Sequence, residues 1–176
     1  MRDFDGGGMM FQVNDVVVYG AQGVCRIDGI QKKKVDGVIK EFFILKPEDQ
    51  REAVFYVPTW NEKALAKMRK VLTKADVDAL IDSIPEKEPF WIPNENARKD
   101  AYRQILAGGD HAAVISMLQA LYAHKQEREA IGKRLHVVDD YFMKEAEQLL
   151  HSEWRYVLNM DKAGLMTYIM ERIEHK

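Results

Sequence analysis

The residues of this chain that could do chemistry are few and far apart. The five histidines are separated by 13, 12, 15 and 24 residues, whereas the ligands of a protein metal site are usually paired within a few positions. The only cysteine, Cys25, has no base beside it in the sequence. Its position in a predicted strand favours a small buried residue over a nucleophile. We therefore predict no catalytic residue and no metal site.

The acidic residues and glycines do not form an active-site motif either. Asp139 and Asp140, like Glu145 and Glu147, are interpreted as solvated helix faces. The glycine tracts at residues 6–8 and 108–109 match neither nucleotide-binding pattern. We predict that the chain is not an enzyme and uses no cofactor and no small-molecule substrate. An enzyme would need a constellation of residues that their order along the chain does not reveal.

Composition limits the partners and the location. The chain has 176 residues, is 47% hydrophobic and carries a net charge of −2. Residues 1–89 contain 14 Lys and Arg against 15 Asp and Glu, and residues 90–176 contain 12 against 13. Neither half is basic, so any contact with nucleic acid would have to be local. A single cysteine excludes an intramolecular disulfide, and no apolar run suits a signal peptide or a membrane helix. We expect a cytoplasmic protein with no membrane contact.

The first part of the chain alternates polar and apolar residues in the manner of short strands. Asp36-Gly37 is a strong two-residue hairpin signal between two of them, and residues 60–67 are predicted to form a helical turn. Several short antiparallel strands in about 60 residues favour a closed, strongly bent sheet of the SH3 or Tudor type. The predicted strands are residues 11–19, 23–32, 39–46, 53–57 and 69–72.

From Thr73 onward the apolar residues follow a helical period. Thr73, Asn94 and Asp110 are predicted helix N-caps. The predicted fold class is therefore multidomain α+β, with an antiparallel SH3/Tudor-like barrel followed by an all-α domain. We predict a flexible extension at 1–9, the barrel at 10–72 and the helical domain at 73–176.

The order of motifs across both parts resembles the CarD/CdnL family of bacterial transcription regulators. A similar N-terminal module occurs in the transcription-repair coupling factor. In the N-terminal part the resemblance rests on residues 11–19, Gly23-Val24, Ile27, Ile30, Asp36-Gly37, residues 42–45 and Val57-Pro58. In the helical part it rests on Arg98, Tyr102, Ile105-Leu106, Gly109-Asp110, Leu118, Leu121-Tyr122, Leu135, residues 144–146 and Leu149-Leu150.

The resemblance implies a regulator that docks on the β subunit of RNA polymerase through its Tudor-like module. The helical domain would contact promoter DNA and modulate the stability of the open complex. Lys33 falls where the family has a basic residue on the second strand, and Tyr56 stands where it commonly has one before Val-Pro. The implied polymerase-binding residues are Lys32, Lys33, Lys34 and Tyr56, and the implied DNA-binding residues are Trp91, Arg98, Lys99, Arg103 and Lys125.

Several of these residues also have a structural interpretation. The three lysines could be the solvated edge of a sheet. Trp91, in a segment stiffened by Pro89 and Pro93, could be a hydrophobic latch that packs the linker between the two domains instead of a wedge in DNA. Trp91 stands 19 residues before Asp110, about one helical turn further than the family pattern. The alternative function is a protein–protein adaptor that binds RNA polymerase or another partner without DNA contact. Trp60 is predicted to lie in a core or at a domain interface, and Trp154 is predicted to lie in a core.

Overall fold

The computed structural model describes residues 10–49, 52–86, 89 and 91–174. Within this part, the chain divides into two compact units between Val71 and Leu72. The extension predicted at residues 1–9 lies outside the described residues.

The N-terminal unit is one antiparallel sheet of five strands. Its strand order is β4-β3-β2-β1-β5, and the short helix α1 (Glu62–Leu65) precedes the last strand. Together with the helices that follow, this sheet confirms the predicted α+β fold class. The strands are β1 (Val16–Tyr19), β2 (Val24–Val35), β3 (Val38–Pro47), β4 (Phe55–Pro58) and β5 (Met68–Lys70).

Two turns set the register of the sheet. Asp36 and Gly37 have φ values of 52° and 81°, so the predicted hairpin joins β2 to β3, and Val35 lies opposite Val38. The first strand begins later than predicted, at Val16. Asn14 has a left-handed φ of 74°, which breaks the extended conformation of the chain before the strand.

The strands β2 and β3 are much longer than their neighbours. β1 pairs only with residues 24–26 of β2, and β4 pairs only with residues 42–45 of β3. Residues 31–41 therefore project as a two-stranded ribbon. A β-bulge between Ile27 and Gly29 offsets the register at its base. The buried side of the sheet packs Phe11, Val17, Cys25, Ile27, Phe43, Leu45, Val57 and Met68.

Among the described residues, the second unit contains five α-helices and a short 3-10 helix, Ile84–Glu86. The side chains of Thr73, Asn94 and Asp110 accept hydrogen bonds from backbone N–H groups of the helices that follow them, which confirms all three predicted caps. Thr73 and Asp76 form a complete capping box. The helices are α2 (Lys74–Asp82), α3 (Glu95–Gly108), α4 (His111–Ala130), α5 (Val137–Leu158) and α6 (Lys162–Glu174).

These helices share one apolar core. Trp154 is 1% exposed and is one of the largest side chains in it, as predicted. Leu165 and Ile169 are also buried there, so the last helix packs on its own unit. Tyr122 on α4 is 40% exposed, and its hydroxyl donates to Glu147. None of the helices in the described residues is long and apolar enough to cross a membrane.

Candidate functional site

The outer face of the β2–β3 ribbon carries basic and aromatic side chains. Strand alternation places Lys33 on the face opposite the buried Phe43. The Lys33 ammonium lies 3.8 Å from the centroid of the Tyr56 ring, which is the distance of a cation–π contact. Tyr56 itself is 46% exposed on β4. Two of the four residues predicted to bind polymerase therefore lie together on one accessible surface.

The other two lysines of the predicted set point to the opposite side. Lys32 pairs across the strands with Glu41, and its ammonium lies 3.3 Å from that carboxylate. Lys34 pairs with Ile39 in the same alternation. Since successive side chains of a strand alternate between faces, the structure separates Lys32 and Lys34 from the surface that Lys33 and Tyr56 share.

Three further residues complete this surface, and sequence reasoning missed them. Lys40 lies directly opposite Lys33 in the register, and its ammonium is 5.0 Å from the centroid of the Trp60 ring. Phe42 packs edge-on against Trp60, with ring centroids 4.8 Å apart. We call Lys33, Lys40, Phe42, Tyr56 and Trp60 the lysine–aromatic platform. The Asp36-Gly37 turn was a sufficient signal for the Lys33–Lys40 pair, because counting outward from a two-residue turn gives the register.

Trp60 is not the core residue that the sequence suggested, since 45% of it is exposed. It follows Pro58, which ends β4, and precedes Asn61, which caps α1. This position at the end of an edge strand places the indole on the sheet surface. Trp60 therefore does not lie in a core, and its alternative position at a domain interface stays a prediction.

In the helical unit, Trp91 is held between two other side chains. Its ring stacks on that of His124, with centroids 3.8 Å apart and planes inclined by 22°. The guanidinium carbon of Arg98 lies 4.3 Å from the ring centroid. Trp91 is only partly exposed and packs against the apolar core of this unit. These contacts all lie within the helical unit, so they pack the segment before α3 onto its own unit, and both the wedge and the interdomain latch stay predictions.

Arg98 is buried in an internal ion pair. It is 4% exposed, and its Nε and Nη2 donate to the two carboxylate oxygens of Asp139 at 2.8 and 2.9 Å. Its Nη1 donates to the carbonyl oxygens of Ile92 and Pro93. The guanidinium thus ties the segment after Trp91 to α5 and is not accessible to a phosphate. Asp139 is 1% exposed, so its interpretation as part of a solvated face is wrong.

The remaining residues predicted to bind DNA lie on or near the surface. Lys99 donates to Glu95 at 2.5 Å, one turn earlier on α3. Arg103 is paired with Asp100 at 3.0 Å. Lys125 is half-buried on α4. The structure does not join these residues to Trp91 and Arg98 in a single exposed basic surface.

A second buried polar group was also missed by sequence reasoning. The side chains of His111 and Glu153 lie 2.8 Å apart, and Glu153 is 1% exposed. The other oxygen of Glu153 accepts from the backbone N–H of Leu72. These contacts fix the start of the helical unit on α5, which is a structural role. No pattern along the chain connects three positions so distant in sequence.

The described residues offer neither a metal site nor a reactive thiol. They contain no group of three or more His, Cys, Asp or Glu side chains that could hold a metal ion. Cys25 is fully buried, as predicted. Desolvation, aided by the charge of Glu48, raises the pKa of its thiol to about 11. A thiol with this pKa is protonated at neutral pH and is a poor nucleophile.

The comparison with known protein families identifies the N-terminal unit. Residues 11–72 match the family model of the CarD-like/TRCF RID domain. The match covers all five strands and the complete lysine–aromatic platform. Modules of this family are non-catalytic protein-interaction domains. Residues 11–72 are therefore a CarD-like RNA polymerase-interacting domain of the Tudor type, followed in this transcription-related chain by a helical unit that lies outside the match.

Proposed function

We propose that this protein docks on the β subunit of RNA polymerase through the outer face of the β2–β3 ribbon and acts there on the promoter open complex. The observation that supports docking is the position of Lys33 over Tyr56 within the matched domain. An ammonium held on an aromatic ring keeps its charge and loses little further side-chain freedom when a partner binds.

Charge reversal at Lys33 tests the docking face. Lys33→Glu should weaken binding of the full-length protein to RNA polymerase core enzyme at least tenfold, because it replaces a contacting cation by an anion. The matched control is Lys34→Glu, the same change one residue further on the opposite face, which should alter affinity less than threefold. Equal affinity of Lys33→Glu and wild type would remove this face from the docking surface.

The helical domain would act on the promoter open complex by contacting DNA. The domain would be brought to the promoter by docking, so that even weak local contacts with DNA act at high effective concentration. Phosphate contacts release counterions, and the affinity for a promoter fork should then fall as salt concentration rises. Binding of the full-length protein to polymerase on a forked promoter, measured from 50 to 200 mM salt, tests this.

A second candidate function is a protein–protein adaptor that docks on polymerase without touching DNA. It is favoured by the internal pairing of Arg98 with Asp139, Lys99 with Glu95 and Arg103 with Asp100. The same salt series separates the two functions. If the protein adds no salt dependence beyond that of polymerase on the fork, the adaptor is supported and DNA contact is contradicted.

A further inference from the structure

We infer that the lysine–aromatic platform recognises a carboxylate of an acidic polypeptide segment, which enters between Lys33 and Lys40 and rests against Trp60. This inference depends on the proposed docking and specifies its chemistry. It adds Lys40 and Trp60 to the docking surface and excludes Lys32 and Lys34.

The platform contains an unfavourable pair of like charges. Lys33 and Lys40 are directly opposite on neighbouring strands, and like charges in that position destabilise a sheet. The neighbouring cross-strand pair on the other face, Lys32 and Glu41, has opposite charges and forms an ion pair. The ribbon thus keeps an unfavourable pair on one face only. A carboxylate placed between the two ammonium groups would turn this repulsion into attraction.

The ammonium groups of Lys33 and Lys40 lie over aromatic rings and not beside carboxylates. Among the residues that the structure describes, neither lies within ion-pair distance of a carboxylate. At the base of the ribbon the cations are neutralised, Arg26 by Glu48 and Lys46 by Asp28. The two platform lysines are instead held over aromatic rings, Lys33 over Tyr56 and Lys40 over Trp60.

Aromatic rings form the apolar part of the platform, beside the two lysines. The rings of Tyr56 and Trp60 are exposed, and Trp60 packs edge-on against Phe42. Aromatic rings beside fixed charges are typical of the residues that dominate protein–protein affinity. Among the described residues of this outer face, Lys33 and Lys40 are the two cations without a carboxylate at ion-pair distance, which suits a short acidic peptide better than the repeated phosphates of a nucleic acid.

The test measures binding of full-length variants to RNA polymerase core enzyme. Lys33→Gln and Lys40→Gln should each weaken binding about tenfold. The double variant should be clearly less than a hundredfold weaker, because both ammonium groups contact one carboxylate and the two changes are not independent. Trp60→Ala should weaken binding by a similar factor. Lys34→Gln, which removes the same charge from the opposite face, should bind like wild type.

Thermal unfolding guards against a trivial loss of fold. Lys40→Gln removes the like-charge repulsion together with the cation–π contact to Trp60, so its unfolding midpoint should stay close to that of wild type while its affinity falls. If Lys40→Gln and Trp60→Ala bind like wild type and Lys33→Gln does not, docking through Lys33 stands and the inferred platform is overturned.

A second measurement applies if wild type does not bind polymerase at all, in which case the proposed docking fails. Backbone amide shifts of the full-length protein are followed by NMR during titration with hexaglutamate, with hexalysine and with a twelve-residue oligothymidine. Shifts at residues 31–42 and 55–60 with hexaglutamate alone, lost in Lys40→Gln, support the platform. No response to hexaglutamate, or a response to the oligothymidine instead, overturns it.

Discussion

In the helical unit, Arg98 makes contacts that stabilise the fold and is not available to bind a partner. Arg98 uses its guanidinium for a bidentate pair with Asp139 and for the carbonyl groups of Ile92 and Pro93. The same group covers one face of Trp91. Because this cation is bound to buried partners, it holds the segment before α3 against α5. Replacing Arg98 should therefore lower the stability of the fold.

The buried ion pair gives a first prediction. Asp139→Asn leaves the Arg98 charge buried without a compensating anion and should lower the free energy of unfolding by about 3–5 kcal/mol. Urea denaturation at pH 7 measures this. Asp140→Asn is the matched control, because Asp140 is paired on the surface with Lys144, and it should cost at most about 1 kcal/mol. Similar losses for both variants would contradict the distinction between the two aspartates.

Trp91 gives a second prediction at this scale. Trp91→Ala removes an indole that packs between His124 and Arg98 and should lower the free energy of unfolding by about 2–4 kcal/mol. Trp91→Phe, which retains an aromatic ring for stacking, should lose less than half as much. An unchanged stability of Trp91→Ala together with a shorter promoter open-complex lifetime would contradict this packing role and support the wedge in DNA.

Among the elements, α6 is bound to α2 by a polar network as well as by the core. The Tyr168 hydroxyl donates to Asp78 at 2.7 Å and accepts from Lys74 at 2.8 Å. Arg172 forms a bidentate pair with Asp82. Burial alone would raise the pKa of Asp78, but hydrogen bonds from Lys74 and Tyr168 and the charge of Arg172 outweigh it and lower the pKa below its ordinary value.

This network predicts an acid dependence. A carboxyl with a lowered pKa contributes stability that is complete above its ordinary value and is lost as the pH falls through the lowered value. Tyr168→Phe removes one cause of the shift. The fall in the free energy of unfolding between pH 6 and pH 3 should therefore be smaller in Tyr168→Phe than in wild type.

Urea titrations at the two pH values measure that difference. The control is Tyr156→Phe, which removes a hydroxyl from a partly exposed tyrosine on α5. It should show the same acid dependence as wild type. An equal or larger acid loss in Tyr168→Phe would mean that its hydroxyl does not hold the pKa of Asp78 down.

In the whole molecule, the boundary between Val71 and Leu72 separates the unit that carries the lysine–aromatic platform from the helical unit. The platform lies entirely within residues 33–60, and the family match ends at residue 72. Leu72 itself belongs to the helical unit, because its N–H donates to Glu153. A helical fragment should therefore begin before Leu72 in order to keep this hydrogen bond.

The fragment of residues 9–72 provides the prediction at this scale. It should bind an isolated β-lobe fragment of RNA polymerase with an affinity within about threefold of the full-length protein, since area outside the contact surface adds little. Circular dichroism first checks its fold, because about 60 residues bury a limited core. Much weaker binding by a folded fragment would mean that the helical unit contributes to docking. The fragment carrying Lys33→Glu is the negative control.

Local signals in the sequence determined the elements of this protein. The caps at Thr73, Asn94 and Asp110 and the turn at Asp36-Gly37 were predictable because each depends on residues within three or four positions. The two-part fold class followed from the change of hydrophobic period at Thr73. The order of motifs likewise indicated the family of the N-terminal module.

Which of these residues are accessible, and which partner each of them contacts, depends on the packing of segments that are distant in the sequence. Lys32, Lys33 and Lys34 are alike in sequence, but the pleat assigns Lys33 to one face and its neighbours to the other. Arg98 and Asp139 are 41 positions apart and meet only after α3 packs near α5. Charge on a helix is solvated by default, and only long-range packing can bury it with a partner. The physical reason is that burial depends on contacts between distant segments, which local patterns do not encode.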